Sequence, residues 1–268
     1  MHAQFKKRLL TREKLLGTIL TLPAPELAEI AADAGFDWLF LDMEHGLLDI
    51  PAVQRMVQAA GDRCPAIIRV PANEPVWIKK ALDVGAAGLI FPNIKSAEEA
   101  ARAVRQSKYP PEGDRSVGIS RAHRFGARFA EYVAAANRDT TLIAQVEHIE
   151  AVRGIDGILG VRGVDAVFIG PYDLSASLGK PGRVGDRDVR EAIERVRTAC
   201  AERGVPAGIF AGDQEAARKA FEEGFAFVCA GMDVTLYAGL AARMVKELKA
   251  FSREVSGTGS LSSFSASP

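Results

Sequence analysis

Residues 36–50 read FDWLFLDMEHGLLDI, an apolar run that breaks into Asp42, Glu44 and His45 within four positions. Buried charge is costly unless it is paired or bound to a metal. Such a group of residues therefore marks either an exposed strand end or a shared partner. The pattern recurs along the chain. PAIIRVP carries Arg69 just ahead of Pro71. TLIAQVEH carries Gln145 and Glu147, two apart and so on one side of a strand. DAVFIGPYDLSASLG delivers Asp173 just after Gly170-Pro171. Glu147 and Asp173 suit a hard divalent cation such as Mg²⁺ or Mn²⁺, which takes one or two protein carboxylates. Arg69 beside it would steady a developing oxyanion. His45, oriented by Asp42, would act as a general base through a water. Metal, arginine and base together equip a site to remove a proton next to a carbonyl and hold the enolate. A zinc site does not fit, because the four histidines show no zinc spacing.

Each residue alone has a plainer reading. Asp42 or Asp173 could cap a helix, His45 could be structural, and Arg69 could sit in an ion pair. The functional reading depends on one architecture bringing them together. Strand-like runs fall at 16–22, 37–42, 65–71, 87–93, 141–148, 165–171, 206–211 and 225–231, with amphipathic helical segments between them. The strands are apolar nearly throughout, as expected of strands covered on both faces. Eight such units predict a (β/α)8 TIM barrel, whose chemistry gathers at the C-terminal strand ends. No glycine-rich dinucleotide fingerprint follows the first strand. Residues 109–140 are expected to form a long, partly helical insertion between the fourth and fifth strands, beyond the helical segment AEEAARAVRQSK. One barrel domain over 1–252 and a disordered Ser/Gly-rich tail over 253–268 complete the prediction.

Composition narrows the partners. Among 268 residues, Lys plus Arg and Asp plus Glu are both 34, so the formal charge is zero. That gives no basic excess for nucleic acid and no polybasic block for a membrane. No apolar run approaches a membrane span. The start, MHAQFKKRLLTREK, lacks the apolar core of a secretory signal, and a cytoplasmic enzyme is expected. Cys64, Cys200 and Cys229 form no CxxC pair and read as reduced thiols, Cys229 as a core residue.

The residues quoted above lie in stretches that resemble the HpcH/HpaI aldolase family of metal-dependent class II 2-oxo acid aldolases. These stretches are GFDWLFLDMEHG (35–46), IIRVPANEP (67–75), ALDVGAAGLIFPNI (81–94), YPPEGDRSVG (109–118), QVEHIEAV (145–152), VDAVFIGPYDLSASLG (164–179) and GMDVTLYA (231–238). The resemblance runs from about residue 5 to 250 and implies a TIM barrel, often with its last helix packed on a neighbouring subunit in a trimer or hexamer. It further implies Glu147 and Asp173 as ligands of Mg²⁺, Mn²⁺ or Co²⁺, and His45 with Asp42 as the base pair. Arg69 and Gln145 would contact pyruvate. Backbone N–H groups of the turn Gly170, Pro171, Tyr172, Asp173 would hold the pyruvate carboxylate. The implied reaction is reversible aldol cleavage of a 4-hydroxy-2-oxo acid to pyruvate and an aldehyde, with oxaloacetate decarboxylation as a side activity.

Departures from the family pattern concern the aldehyde. Tyr172 stands where smaller residues such as Ala are common, and either narrows the pocket or packs away from it. In SVGISRAHRFG (116–126), Arg121, His123 and Arg124 either contact the aldehyde's polar end or form a solvated basic loop. Sugar-derived 2-keto-3-deoxy acids and heptenedioate-type acids both remain as substrates. Three rivals stand beside this reading. A Schiff-base aldolase would use a strand-end lysine, with Lys95 the nearest. A citrate-lyase-like enzyme would act on CoA thioesters. A non-catalytic barrel would only bind a 2-oxo acid or a protein.

Overall fold

The computed structural model describes residues 2–258. Eight parallel strands close on themselves in chain order. They are β1 (Leu15–Leu20), β2 (Trp38–Asp42), β3 (Ala66–Arg69), β4 (Gly88–Phe91), β5 (Thr141–Val146), β6 (Ala166–Ile169), β7 (Ala207–Ala211) and β8 (Phe227–Met232). All eight expected strands are present, and the predicted (β/α)8 barrel is the fold.

Alternation along each strand builds two cores. One set of side chains points outward beneath the helices, including Leu39, Leu41, Ile68, Leu89, Val167 and Ile169. The other fills the barrel with Leu15, Ile19, Trp38, Phe40, Ile67, Phe168, Phe227 and Cys229. The Trp38 indole sits 5.7 Å from the Phe227 ring and 6.2 Å from the Phe168 ring, edge-on to both. Room for it comes from Gly17 on the neighbouring strand, where a Cβ would overlap the indole. The site therefore stands on a dense aromatic floor.

The helices start where the sequence permits. Asp49, Ser96 and Asp213 accept N–H groups at the starts of Ile50–Ala60, Ala97–Ser107 and Gln214–Glu222. Proline occupies the first turn of Pro25–Asp33, Pro75–Asp83 and Pro171–Ser177. One helix, His2–Leu10, was not expected from the charged start of the chain. Its Phe5 and Leu9 are fully buried and join the barrel's inner core beside Ala87, Ala166 and Ala226, closing the N-terminal end of the barrel.

One boundary needs correction, while the insertion lies between the fourth and fifth strands as expected. It follows the helix Ala97–Ser107, which puts it at the N-terminal face. A short 3₁₀ turn, Arg121–His123, and the helix Phe129–Asp139 lead from it into β5. Arg115 anchors it, paired with Asp83 at 2.8 Å and stacked 4.5 Å over Tyr109. The last helix runs Asp233–Thr258, so the chain stays helical past the expected boundary at 252. Between Gly239 and Gly257 it holds no Gly or Pro, so nothing local stops it at 252. The rest of the expected tail, 259–268, lies outside the described residues.

Candidate active site

The strand register brings Asp42, the last residue of β2, opposite Arg69, the last of β3. Their side chains form a bidentate pair, Arg69 Nε to Asp42 Oδ1 at 2.9 Å and Nη2 to Oδ2 at 2.7 Å. Both are buried, Asp42 to 1% and Arg69 to 6% exposure. The guanidinium lies 5.1 Å over the Phe40 ring and also pairs with Glu44 Oε2 at 3.1 Å. Burial pushes the Arg69 pKa down, but the Asp42 pair together with the charges of Glu44 and Glu147 outweighs it and holds the group above its ordinary value.

This geometry revises the expected Asp42–His45 pair. Asp42 Oδ1 accepts the main-chain N–H groups of Glu44 at 3.0 Å and His45 at 3.2 Å. Asp42 thus holds the backbone of the loop and the Arg69 side chain, with no hydrogen bond to the His45 ring. Asp42 caps no helix either; Asp49 does that. His45 projects into solvent at the mouth. Glu44, whose role the sequence left open, has Arg69 as its partner, and burial raises its pKa.

Gln145 and Glu147 share a side as expected, and Gln145 Nε2 donates to Glu147 Oε2. The other Glu147 oxygen accepts the Asn93 N–H at 2.7 Å. Asn93 follows β4 in a left-handed conformation, φ 52°, and its neighbour Pro92 gives its carbonyl to Asn73 Nδ2 at 2.6 Å. The sequence reading missed both asparagines; an Asn after Phe-Pro at a strand end was the available signal. Glu147 is pushed up to about 7, first by burial and then by the charges of Glu44 and Asp173, with the Asn93 N–H and Arg69 opposing. Glu44 and Asp173 thus act on Glu147 through their charge, and a cation held at Glu147 would relieve that repulsion. Gln145 Oε1 is buried with no partner among the described residues.

Gly170 follows β6, and its φ of −95° is open to any residue. Its lack of a side chain is required by contact instead. A Cβ there would lie 2.7 Å from Glu147 Oε2 and 3.1 Å from Gln145 Nε2. Pro171 then starts the seven-residue helix that carries Asp173 in its first turn, exposed at the mouth. The first-turn N–H groups of Tyr172 and Asp173 have no acceptor within that helix. The Tyr172 ring leans on Phe210 at 6.0 Å, toward the end of β7.

Other expected contacts fall elsewhere. His123 is buried and structural, its Nδ1 accepting the Gly126 N–H at 3.0 Å and its Nε2 2.9 Å from the Gly118 carbonyl. Arg121 donates to the Val84 carbonyl at 2.7 Å, just ahead of β4, and Arg124 lies beside it with His2 and Asp62. Within this chain, all three stand at the opposite end of the barrel from Glu147. Lys95 lies just ahead of the Ser96 cap, its N–H bound to Glu99.

Above the aromatic floor, the buried arginine–aspartate pair, the carboxylates and the exposed imidazole stand at the C-terminal ends of β2, β3, β5 and β6 and define the mouth of a TIM-barrel enzyme. A family model described as HpcH/HpaI aldolase/citrate lyase matches residues 17–239, and the chain belongs to that family. The 5-keto-4-deoxy-D-glucarate aldolase of Escherichia coli is 36% identical over 248 residues, 92% of this chain and 96% of that protein. Among solved structures, an HpcH/HpaI aldolase/citrate lyase family protein from Burkholderia cenocepacia has a TM-score of 0.89 at 38% identity. That match covers 92% of this chain and 99% of the other. An HpcH/HpaI aldolase from Desulfitobacterium hafniense has a TM-score of 0.85 at 35% identity, over 91% and 96%.

Proposed function

We propose that the chain is a metal-dependent aldolase that cleaves a 4-hydroxy-2-oxo acid to pyruvate and an aldehyde, and joins them in reverse. The observation that carries this reading is the buried carboxylate of Glu147 at the same end of the barrel as the buried Arg69–Asp42 pair, with Glu44 paired to Arg69 and Asp173 exposed at the mouth. The donors fit a hard cation. They are carboxylate oxygens, and the described residues hold no cluster of three or more His, Cys, Asp or Glu that would make a closed all-protein site. Glu147 and Asp173 would hold Mg²⁺, Mn²⁺ or Co²⁺. Bound there, the cation would supply Lewis-acid polarisation of the substrate's 2-oxo group.

The chain's own residues supply the rest. Arg69 is immobilised by Asp42 and offers positive charge to the 2-oxo oxygen as electrons shift toward it. The first-turn N–H groups of Tyr172 and Asp173 receive the substrate carboxylate, and Gln145 adds a polar contact. In cleavage, His45 takes the proton of the 4-hydroxyl through a water. The C3–C4 bond then breaks, the aldehyde leaves, and its electron pair goes to the pyruvate enolate. A proton returned to C3 gives the methyl group.

The relatives named for a keto-deoxy sugar diacid support sugar-derived 2-oxo acids as the substrate class. An assembly in which the last helix is exchanged between subunits is part of the proposal. Leu236, Leu240, Met244, Leu248 and Phe251 form an exposed stripe on that helix. An open groove of about 1010 Å³ over β7, lined by Ile209, Phe210 and Ala220, offers a seat of matching character. Buried, unpaired cysteines favour a cytoplasmic setting, and no described helix is long and apolar enough to cross a membrane.

Exchange of pyruvate methyl protons for deuterium tests the reading without a guess about the aldehyde. The expected result is exchange with Mg²⁺ or Mn²⁺ that is lost with EDTA and in Glu147→Ala and falls to a small, measurable residual rate in His45→Ala. No exchange above background in the metal-loaded protein would refute it.

A further inference from the structure

The loop that carries Glu44 and His45 is held at both ends. Its inner end is fixed by Asp42, which accepts the N–H groups of Glu44 and His45. Its outer end is fixed by Thr21, the residue after β1, because the Leu47 N–H donates to the Thr21 carbonyl at 2.9 Å. Gly46 packs flat on the same residue, where a Cβ would lie 3.2 Å from both Thr21 Cα and Thr21 O. Thr21 is past the end of β1, so the strand ladder does not hold it.

What holds it is Asp233, the first residue of the last helix. Asp233 Oδ2 accepts the Thr21 N–H at 2.8 Å and the Leu22 N–H at 2.9 Å, and Oδ1 accepts the Thr21 hydroxyl at 2.7 Å. A fourth bond, from the Val234 N–H at 2.8 Å, fixes the carboxylate on its own helix. Both oxygens accept, which an ionised carboxylate does and a side-chain amide cannot reproduce.

We propose that Asp233 is a positioning residue for His45, acting through Thr21 and the Leu47 N–H. This rests on the reading of His45 as the base, but the contact chain itself does not. Thr21 transmits the restraint from the last helix to the loop, and the His45 ring, which makes no hydrogen bond among the described residues, depends on that loop for its placement. Asp233 touches no reacting atom.

The test compares the full-length wild type with Asp233→Asn, Thr21→Val, His45→Ala and the Asp233→Asn/His45→Ala double variant. Backbone hydrogen exchange is read over 43–48 and over β5. The expected result is exchange about tenfold faster over 43–48 in Asp233→Asn, a smaller rise in the near-isosteric Thr21→Val, and no change over β5. Metal-dependent exchange of pyruvate methyl protons should fall about 10- to 100-fold in Asp233→Asn, and that penalty should vanish in the His45→Ala background. Unchanged protection over 43–48 in both Asp233→Asn and Thr21→Val would overturn the proposal. So would an Asp233→Asn penalty that persists undiminished without His45, since that marks a general structural role. If the wild type fails to exchange pyruvate protons, the aldolase reading falls, and the hydrogen-exchange arm still decides the positioning claim.

Discussion

Replacing Gly170 by alanine should damage chemistry while sparing the fold. The backbone there, φ −95° and ψ 91°, is open to alanine, so no conformational strain arises. The damage is confined to contact, because the new Cβ would stand 2.7 Å from Glu147 Oε2. An ordinary contact begins near 3.4 Å, so the carboxylate must retreat by about 0.7 Å. Glu147 cannot retreat freely, since Asn93 and Gln145 hold its two oxygens. A misplacement near 1 Å costs ~10²-fold in rate, equivalent to about 2.7 kcal/mol in the barrier. Weakening the buried Gln145–Glu147 bond costs ~1–3 kcal/mol of stability. The assay is pyruvate methyl exchange across a Mn²⁺ titration, with thermal unfolding of the same preparation. The expected outcome is a folded protein with weaker apparent metal affinity and about 1% of the wild-type rate. Wild-type rate and metal dependence in Gly170→Ala would refute the placement of Glu147 as a ligand.

Other predictions follow from the same geometry. Asp42→Ala strands a buried guanidinium and should cost about 3 kcal/mol in urea unfolding, the lower end for a broken buried pair, because Glu44 still pairs with Arg69; a loss under about 1 kcal/mol would mean the pair is solvated. Gly17→Ala overpacks the Trp38 seat and should cost ~1–3 kcal/mol, read as a lower melting temperature with little change in Trp38 environment at low temperature. Burial pushes the Cys64 and Cys200 thiols up to about 12, so only about one in 10⁴ is thiolate at pH 8. Iodoacetamide should leave the native protein unlabelled for hours at pH 8 and label it rapidly in denaturant, and fast native labelling would contradict the burial.

Much of the barrel could be read from local pattern. The strands are apolar runs of four to six residues, and Gln145 and Glu147 announced their shared face by a spacing of two. What local pattern could not supply was register between strands. Asp42 sits opposite Arg69 only because β2 and β3 align there, so the sequence suggested His45, three residues away, as its partner. The same blindness let Arg121, His123 and Arg124 stand as aldehyde contacts. The helix Ala97–Ser107 returns the chain to the N-terminal face before the insertion begins, and Arg121 there reaches the Val84 carbonyl just ahead of β4. The helix His2–Leu10 escaped notice because its polar residues outnumber the two that matter, Phe5 and Leu9. Asp233 lay inside a quoted motif, GMDVTLYA, but its partners Thr21 and Leu22 are some 210 positions away.

The aromatic floor has a consequence for how the enzyme is loaded. It fills the barrel beneath the site, with Phe5 and Leu9 sealing the far end, so that among the described residues the site opens toward the C-terminal mouth. Arg69, Gln145 and Glu147 are buried at the bottom of that mouth and His45 is exposed at its rim. Whatever occupies the bottom must be first to arrive and last to depart. Cleavage should therefore release the aldehyde while pyruvate waits behind it. In synthesis, an aldehyde that arrives early blocks the queue, so excess aldehyde should slow the very reaction it feeds.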